Sequence, residues 1–537
     1  MSNAPTGGTL VIAQPVESEP LIPPVMQQVQ SKVVADQIFD PLAAISPSLD
    51  GRDDRTFAPR LSDGWSWSDD SLRIAFHIDA DARWHDGAPV RAEDVRFTWE
   101  LYTDTLVASP HASRLAEIDS VTVQAPDSAV FWFSRRYPGE FYDAVHHMLI
   151  LPSHLLASAD RATIRQNPFG RAPVGSGRFR FTRWLDGQLI EVSADTSNYR
   201  GRPPLDRVIF SITPQNVAAA ARAFTGEVDL AEQLTPATLG ELPKHPEFTL
   251  VRYPGFDYVF VRFNLRDPRD RNRPHPLFAD RALRRALTMA VDRTTIVRAT
   301  FDSLAAPSVG PMTRAQRMAD TSVTQIAYDA DAARQLLDSL GWRDADGDGV
   351  REREGRPLRF SVLVPNVSGS RMRTAVPIQE ALRLVGVRMD IEAIEPQAWM
   401  QRTYSGRFDA SFDAAHTEPN VNGLEQNWGS AKGSDGNGDD FNFGRYSSAS
   451  FDAELDSALA ARDDVARREL LERAYQTVVD DAPAIWVYEV IGSFIVHRRF
   501  QRPAMRPDAW WTSIADWSIP ADERIPRDRL APAADAP

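Results

Sequence analysis

Four short motifs carry residue types able to do chemistry. Trp84-His85-Asp86-Gly87 sets an imidazole beside a carboxylate, the pairing a general acid and base would use. The Asp-Gly step and the acids that follow it make a turn and helix start the simpler reading. His146-His147 has no partner at metal-ligand spacing and reads as a packing or surface pair. Asp344-Ala345-Asp346-Gly347-Asp348-Gly349 matches the first half of a calcium loop, with oxygens at alternate positions and glycine at the sixth. The twelfth position, where a bidentate glutamate belongs, is Gly355, and Glu354 falls one early. A tight polar turn feeding a strand at Leu358 is therefore expected, and no metal ligand is assigned. Gly175-Ser176-Gly177 lacks the flanking glycines of a nucleophile elbow. No Gly-rich loop ends in Lys-Ser/Thr, and there is no His-Glu-x-x-His. No catalytic residue and no cofactor are expected.

Composition narrows the classes further. The 537 residues suggest three or four structural units, and 43% hydrophobic with 25% charged residues is ordinary for a globular chain. A net charge of −14 leaves no basic footprint for nucleic acid or anionic lipid. Cysteine is absent, which removes disulfides, thiol nucleophiles and thiolate metal sites together. No segment approaches the roughly 20 apolar residues that span a bilayer; the most apolar stretch, Ala482 to Val496, carries Glu489. The N-terminus shows no export signal, and Met1-Ser2-Asn3-Ala4 reads as an expression scar from which a signal peptide is expected to have been trimmed.

The elements that must position these motifs alternate between strand and helix. Leu72, Ile74, Phe76 and Ile78 alternate with polar or small residues as in a half-buried strand. Glu93 to Tyr102 reads as a helix, and Ala333, Leu336, Leu337 and Leu340 share a helical face after Asp329, a fitting N-cap. Leu358 to Val364, then Ile378 to Val385, then Val387 to Ile391 form a strand, helix and strand, the spacing of a βαβ unit. Asn420 to Asn442 is rich in Gly, Asn, Ser and Asp and reads as a long functional loop. The tail from Ala521 is Pro-, Ala- and charge-rich and is expected to lie loosely on the surface.

Five blocks, in order along nearly the whole chain, resemble the extracellular solute-binding proteins of family 5, the peptide-binding group serving ABC importers. The first is Trp65-Ser66-Trp67 through Phe76-His77 and then Trp84 to Val95, where Arg91 replaces the family's usual helix-capping threonine. The second is Pro173-Val174-Gly175-Ser176-Gly177-Arg178-Phe179. The third joins Phe263-Asn264 to Arg284-Arg285-Ala286-Leu287 and Ala290-Val291-Asp292-Arg293. The fourth runs from Ala333 to Trp342, through Asp346 to Gly349, and from Ile378-Gln379 to Gly386-Val387. The fifth is Phe451 to Asp456 and later Asp481-Ala482-Pro483.

The resemblance implies an α/β protein of the type II periplasmic-binding fold, with two hinged lobes and an extra family-specific subdomain. Residues 8–45, 173–263 and 490–520 would form the first lobe, 46–172 the extra subdomain, 264–489 the second lobe and 521–537 a tail. Solute would bind between the lobes, which close over it, and the loaded protein would dock on a membrane ABC permease. Periplasmic or cell-surface location, a monomeric state and no nucleic-acid partner go with that role. Peptide binders of the family carry an aspartate that pairs the ligand's α-amino group, and the matching position here is Ala415. Either Glu418 or Asp413 substitutes, or the ligand lacks a free N-terminus and is another polar solute such as an oligosaccharide. The expected ligand-binding residues are Glu17 and Tyr258, with Trp399, His416, Glu418, Asn427 and Trp428 from the second lobe. Asn427-Trp428 is favoured because it opens the long polar loop, and Trp428 would stack on the ligand. A secreted hydrolase of oligosaccharides or peptides and a protein-binding adaptor are the alternatives.

Overall fold

The computed structural model describes residues 7–529 apart from 48, 50, 52, 53, 138, 317–322, 420, 421, 434–440 and 462. The chain divides into two compact units. One holds the chain up to Arg252 together with everything from Ser493, and the other is Tyr253–Gly492. Two long strands, Phe248–Phe263 and Ala484–His497, carry the chain from one unit into the other. The sequence-derived boundary at 264 falls just past the end of the first strand, eleven residues after the second unit begins, and that at 489 falls within the second strand, three residues before the unit ends.

In the first unit the strand Thr9–Gln14 lies at the centre of the sheet, buried at every position as its unbroken apolar run requires. It pairs in parallel with Arg207–Ile212 on one side and Leu230–Glu232 on the other. Leu189–Ala194 and Phe179–Leu185 extend the first side antiparallel, and Phe494–Val496 covers the second. Ala219, Ala220 and Ala223 of the helix Asn216–Phe224 pack with Val11, Ala13 and Ile495 on one face. The same unit contains a separate antiparallel sheet of Ser62–Trp67, Arg73–Ile78, Ser128–Phe133 and Ile118–Ala125. In its second strand Ile74, Phe76 and Ile78 point inward while Arg73 and His77 face solvent, the period expected from the sequence.

In the second unit Arg359–Pro365 pairs in parallel with Arg388–Ile394 and with Ala410–His416, and the helix Gly369–Arg383 links the first two. This is the expected βαβ unit. Residues 257–263 run antiparallel to Ala410–His416. Alternation then sends two sets of side chains to opposite faces. Val259, Val261, Phe263, Ala410 and Phe412 enter one core with the helices Arg281–Met289 and Ala330–Ser339. Tyr258, Phe260 and Ala415 enter the other, beneath the helices Ala449–Ala460 and Asp464–Asp481.

Two local expectations are corrected. The stretch after Pro419 is not a continuous loop: Asn422–Trp428 is a helix and Ser430–Gly433 a helical turn, while 434–440 lie outside the described residues. The described start of the tail is pinned rather than loose. Asp528 is buried and accepts the Thr9 amide at 2.9 Å, while Arg499 reaches the Asp528 carboxylate from beneath. Residues 530–537 lie outside the described residues.

Candidate functional site

The two most specific motif blocks grip each other. His85 Nδ1 accepts the Gly175 amide at 3.2 Å, and its Nε2 donates to the Gly177 carbonyl at 2.9 Å. Burial holds this imidazole below its usual pKa, so it stays neutral and structural. A Cβ at Gly175 would stand 1.9 Å from the Ile38 carbonyl oxygen, which explains why the loop needs glycine there. Arg91 lacks the capping hydroxyl, but Asp94 at the third helical position accepts the Arg91 amide at 2.9 Å. His146 is half-buried and stacks on Tyr142 at 4.4 Å, a packing role. The Asp344, Asp346 and Asp348 carboxylates lie together and exposed, and accept backbone amides of their own turn.

In the second unit three of the expected residues, Tyr258, Trp399 and Trp428, meet in one structure around a buried ion pair. Arg262 Nε donates to Asp413 Oδ2 at 2.5 Å, and both side chains are 2% exposed. Ser411 Oγ donates to Asp413 Oδ1 at 2.5 Å, and Trp399 Nε1 donates to Ser411 Oγ at 2.9 Å. On its other side the Arg262 guanidinium sits 4.9 Å over the Trp428 ring, whose Nε1 donates to Tyr258 Oη at 3.2 Å. Burial pushes the Tyr258 hydroxyl pKa up to about 12. Asn427, on the same helical turn as Trp428, bonds back to the Gly423 carbonyl at 2.9 Å.

This arrangement changes the roles expected of two residues. Trp428 and Tyr258 are each 1% exposed, and Trp428 packs 4.8 Å from Trp486, so neither ring offers a free face to a ligand. Their aromatic character was legible; their burial was not, because Trp486 comes from a distant strand. Asp413, offered as a replacement partner for a ligand amine, is buried, with Arg262 on one carboxylate oxygen and Ser411 on the other. Ala415 stands opposite Tyr258 and faces the same aromatic core.

The remaining expected residues are nearer the surface. His416 ends its strand opposite Asp257, with Nδ1 3.0 Å from Asp257 Oδ1. Glu418 is half-buried, and its carbonyl accepts Gln316 Nε2 at 3.2 Å. Trp399 is half-buried on the helix Pro396–Tyr404. In the first unit Glu17 follows the central strand; Trp184 Nε1 donates to it at 2.8 Å and the Gly187 amide at 3.2 Å. Arg171 stands 3.8 Å from the same carboxylate and over the Trp184 ring.

One residue of this region escaped the sequence reading. Glu232 ends the strand Leu230–Glu232, half-buried, and accepts Trp510 Nε1 at 2.6 Å. Burial drives its carboxyl pKa up to about 7, against the modest lowering from that one hydrogen bond. The only signal in the sequence is an acid closing the short stretch Val228-Asp229-Leu230-Ala231.

Two α/β units joined by two crossing strands, with parallel strands at each centre, make the two-lobe type II fold of periplasmic binding proteins. Residues 56–435 match the family described as "Bacterial extracellular solute-binding proteins, family 5 Middle", and the chain belongs to that family. It is 27% identical over 431 residues to the oligopeptide-binding protein AppA of Bacillus subtilis, covering 78% of this chain and 76% of that one. The solved structure of AppA from Bacillus subtilis, in complex with a nonapeptide, superposes with a TM-score of 0.76 at 23% identity, covering 96% of this chain and all (100%) of that one. The ABC transporter substrate-binding protein CtaP of Listeria monocytogenes gives 0.80 at 21%, covering 96% and 99%. These two likenesses establish the fold. Among the described residues no helix is long and apolar enough to cross a membrane.

Proposed function

We propose that the chain is the extracytoplasmic solute-binding receptor of an ABC importer, taking up a peptide or another polar solute and delivering it to a membrane permease. The observation that carries this reading is the family match over residues 56–435. The AppA relative, an oligopeptide-binding protein, favours a peptide as cargo. The protein acts as a monomer outside the cytoplasm, without catalysis and without nucleic acid. In support, His85 and Asp413 are each committed to a structural partner.

A thermal-shift screen over peptides and oligosaccharides tests the reading, because a bound solute stabilises by RT ln(1 + [L]/Kd). A shift that saturates at micromolar solute, with no chemical change in that solute, is the expected result. Turnover of the solute would favour a hydrolase. Stable binding to a partner protein with no solute shift would favour an adaptor.

A further inference from the structure

We propose that Glu232 anchors a cationic group of the bound solute, an ammonium or a guanidinium. The inference rests on the receptor reading and adds the chemical class of the ligand.

Topology comes first. The central strand Thr9–Gln14 has Arg207–Ile212 on one side and Leu230–Glu232 on the other, all parallel. The chain builds one side and then crosses to the other, so the strand order reverses at the centre. Open parallel sheets hold their ligands outside the carboxyl ends of the strands at such a point. Glu17 and Glu232 both stand at this edge of the first unit, as does Asp186, which is paired with Arg171. Glu17 is already engaged by Trp184, Gly187 and Arg171.

Glu232 is different. Its strand partner is Phe494, and Trp510, its one hydrogen-bond donor, packs 4.8 Å from the Phe494 ring. Among the described residues it forms no ion pair. The charged group on the turn that carries Trp510 is Asp516, which is taken up by Arg178. His497, at the end of the strand that carries Phe494, lies beside the Phe248 ring at 5.3 Å. A half-buried carboxyl against two aromatic rings, with no cation of its own, is an unbalanced site. An arriving ammonium would supply the missing charge. Burial leaves the carboxyl partly protonated near neutral pH, so cation binding should expel a proton to solvent.

The test uses the full chain and its Glu232→Gln variant. Calorimetry at pH 7 with spermidine, tri-lysine and N-acetyl-tri-alanine amide is run in two buffers of different ionisation enthalpy, beside native mass spectrometry of any retained solute. The expected result is that a cationic probe, or a retained solute bearing a cationic group, binds the wild type at least tenfold better than the variant. Proton release should accompany it in the wild type alone. Equal binding of cationic solute by both proteins overturns the inference and leaves the receptor reading standing, as does a preference for uncharged solute. If neither a probe nor a retained solute is found, the receptor reading falls and takes this inference with it.

Discussion

Asp229, just before the strand Leu230–Glu232, and Glu232, at its end, live in opposite electrostatic worlds. Asp229 is 1% exposed, and its Oδ2 accepts the Val11 amide at 2.9 Å. Its Oδ1 accepts Arg499 Nη2 at 2.8 Å and also meets Arg527. Arg499 in turn pairs with Asp528 and reaches the Thr9 carbonyl at 3.2 Å, so two arginines and two aspartates balance beneath the central strand. Among the described residues, Glu232 has a tryptophan N–H and no ion-pair partner. A buried carboxylate paid for by arginines holds the fold together; one left without a cation at the carboxyl edge of the sheet is available to something else.

Breaking the balanced end should have the largest effect. Arg499→Met leaves Asp229 and Asp528 buried with one cation between them, and should cost about 3–5 kcal/mol in urea unfolding. A loss below about 1 kcal/mol would mean that the cluster is solvated and the contrast with Glu232 is not one of charge compensation.

The second unit offers the next largest test. Trp428→Ala removes a ring packed against Trp486, Phe260 and the Arg262 guanidinium, and should cost about 3 kcal/mol of stability in the ligand-free protein. A variant that unfolds like the wild type but binds solute more weakly would restore the stacking role expected from the sequence.

That residue also shows where the sequence stopped being legible. Patterns carried by neighbours in the chain were readable: the alternation from Ile74 to Ile78, the βαβ spacing after Leu358, and the N-cap Asp329, whose carboxylate accepts the Ala332 amide at 2.8 Å. The five family blocks likewise gave the fold and the broad role. What could not be read were contacts set by distant partners. Trp428 looked like loop because Gly, Asn and Ser surround it, yet it bonds Tyr258 170 positions away. Glu232 looked like any surface acid, yet its partner Trp510 lies 278 positions on. The tail looked loosely held by composition, while Asp528 caps the Thr9 amide from 519 positions away. Local spacing specifies elements; which polar group ends up paired is decided by tertiary packing.

The unbalanced end of the strand should show itself in pH dependence. A carboxyl with a folded pKa of about 7 and an ordinary unfolded value of 4.5 keeps its proton longer in the folded state. The unfolded chain then binds fewer protons between those values, so stability falls as pH rises from about 4.5 to about 7 and levels off above. Glu232→Gln abolishes that slope. The variant should match the wild type near pH 4.5 and exceed it at pH 8 by about 1–2 kcal/mol, allowing for partial solvent access. Greater ligand-free stability with weaker capture of cationic solute is the signature of a residue kept for binding. Parallel stability curves across this range would show that the carboxyl is solvated.

The smallest effect belongs to a third setting for a carboxylate, the exposed one. His77, on the outward face of the first unit's second sheet, has Nδ1 2.7 Å from Asp63 Oδ1 and Nε2 3.1 Å from Asp127 Oδ2. The Asp63 hydrogen bond, then the charges of both aspartates, raise the imidazole pKa above its usual 6.5. For a base raised on folding, the stabilisation is complete below the unfolded pKa and is lost as pH rises through the folded one. All three side chains are about half exposed, at 49–56%, so water and salt screen the pair on both sides. His77→Gln should therefore cost no more than about 0.5 kcal/mol at pH 5.5 and nothing measurable at pH 9. The sharper measurement is an NMR titration of His77: its midpoint should lie above 6.5 and drop in Asp63→Asn, whereas an unshifted midpoint would show that the two aspartates leave it untouched. The same attraction that is worth several kcal/mol around Asp229 is worth a fraction of one here, because only burial makes a missing or present counter-charge expensive.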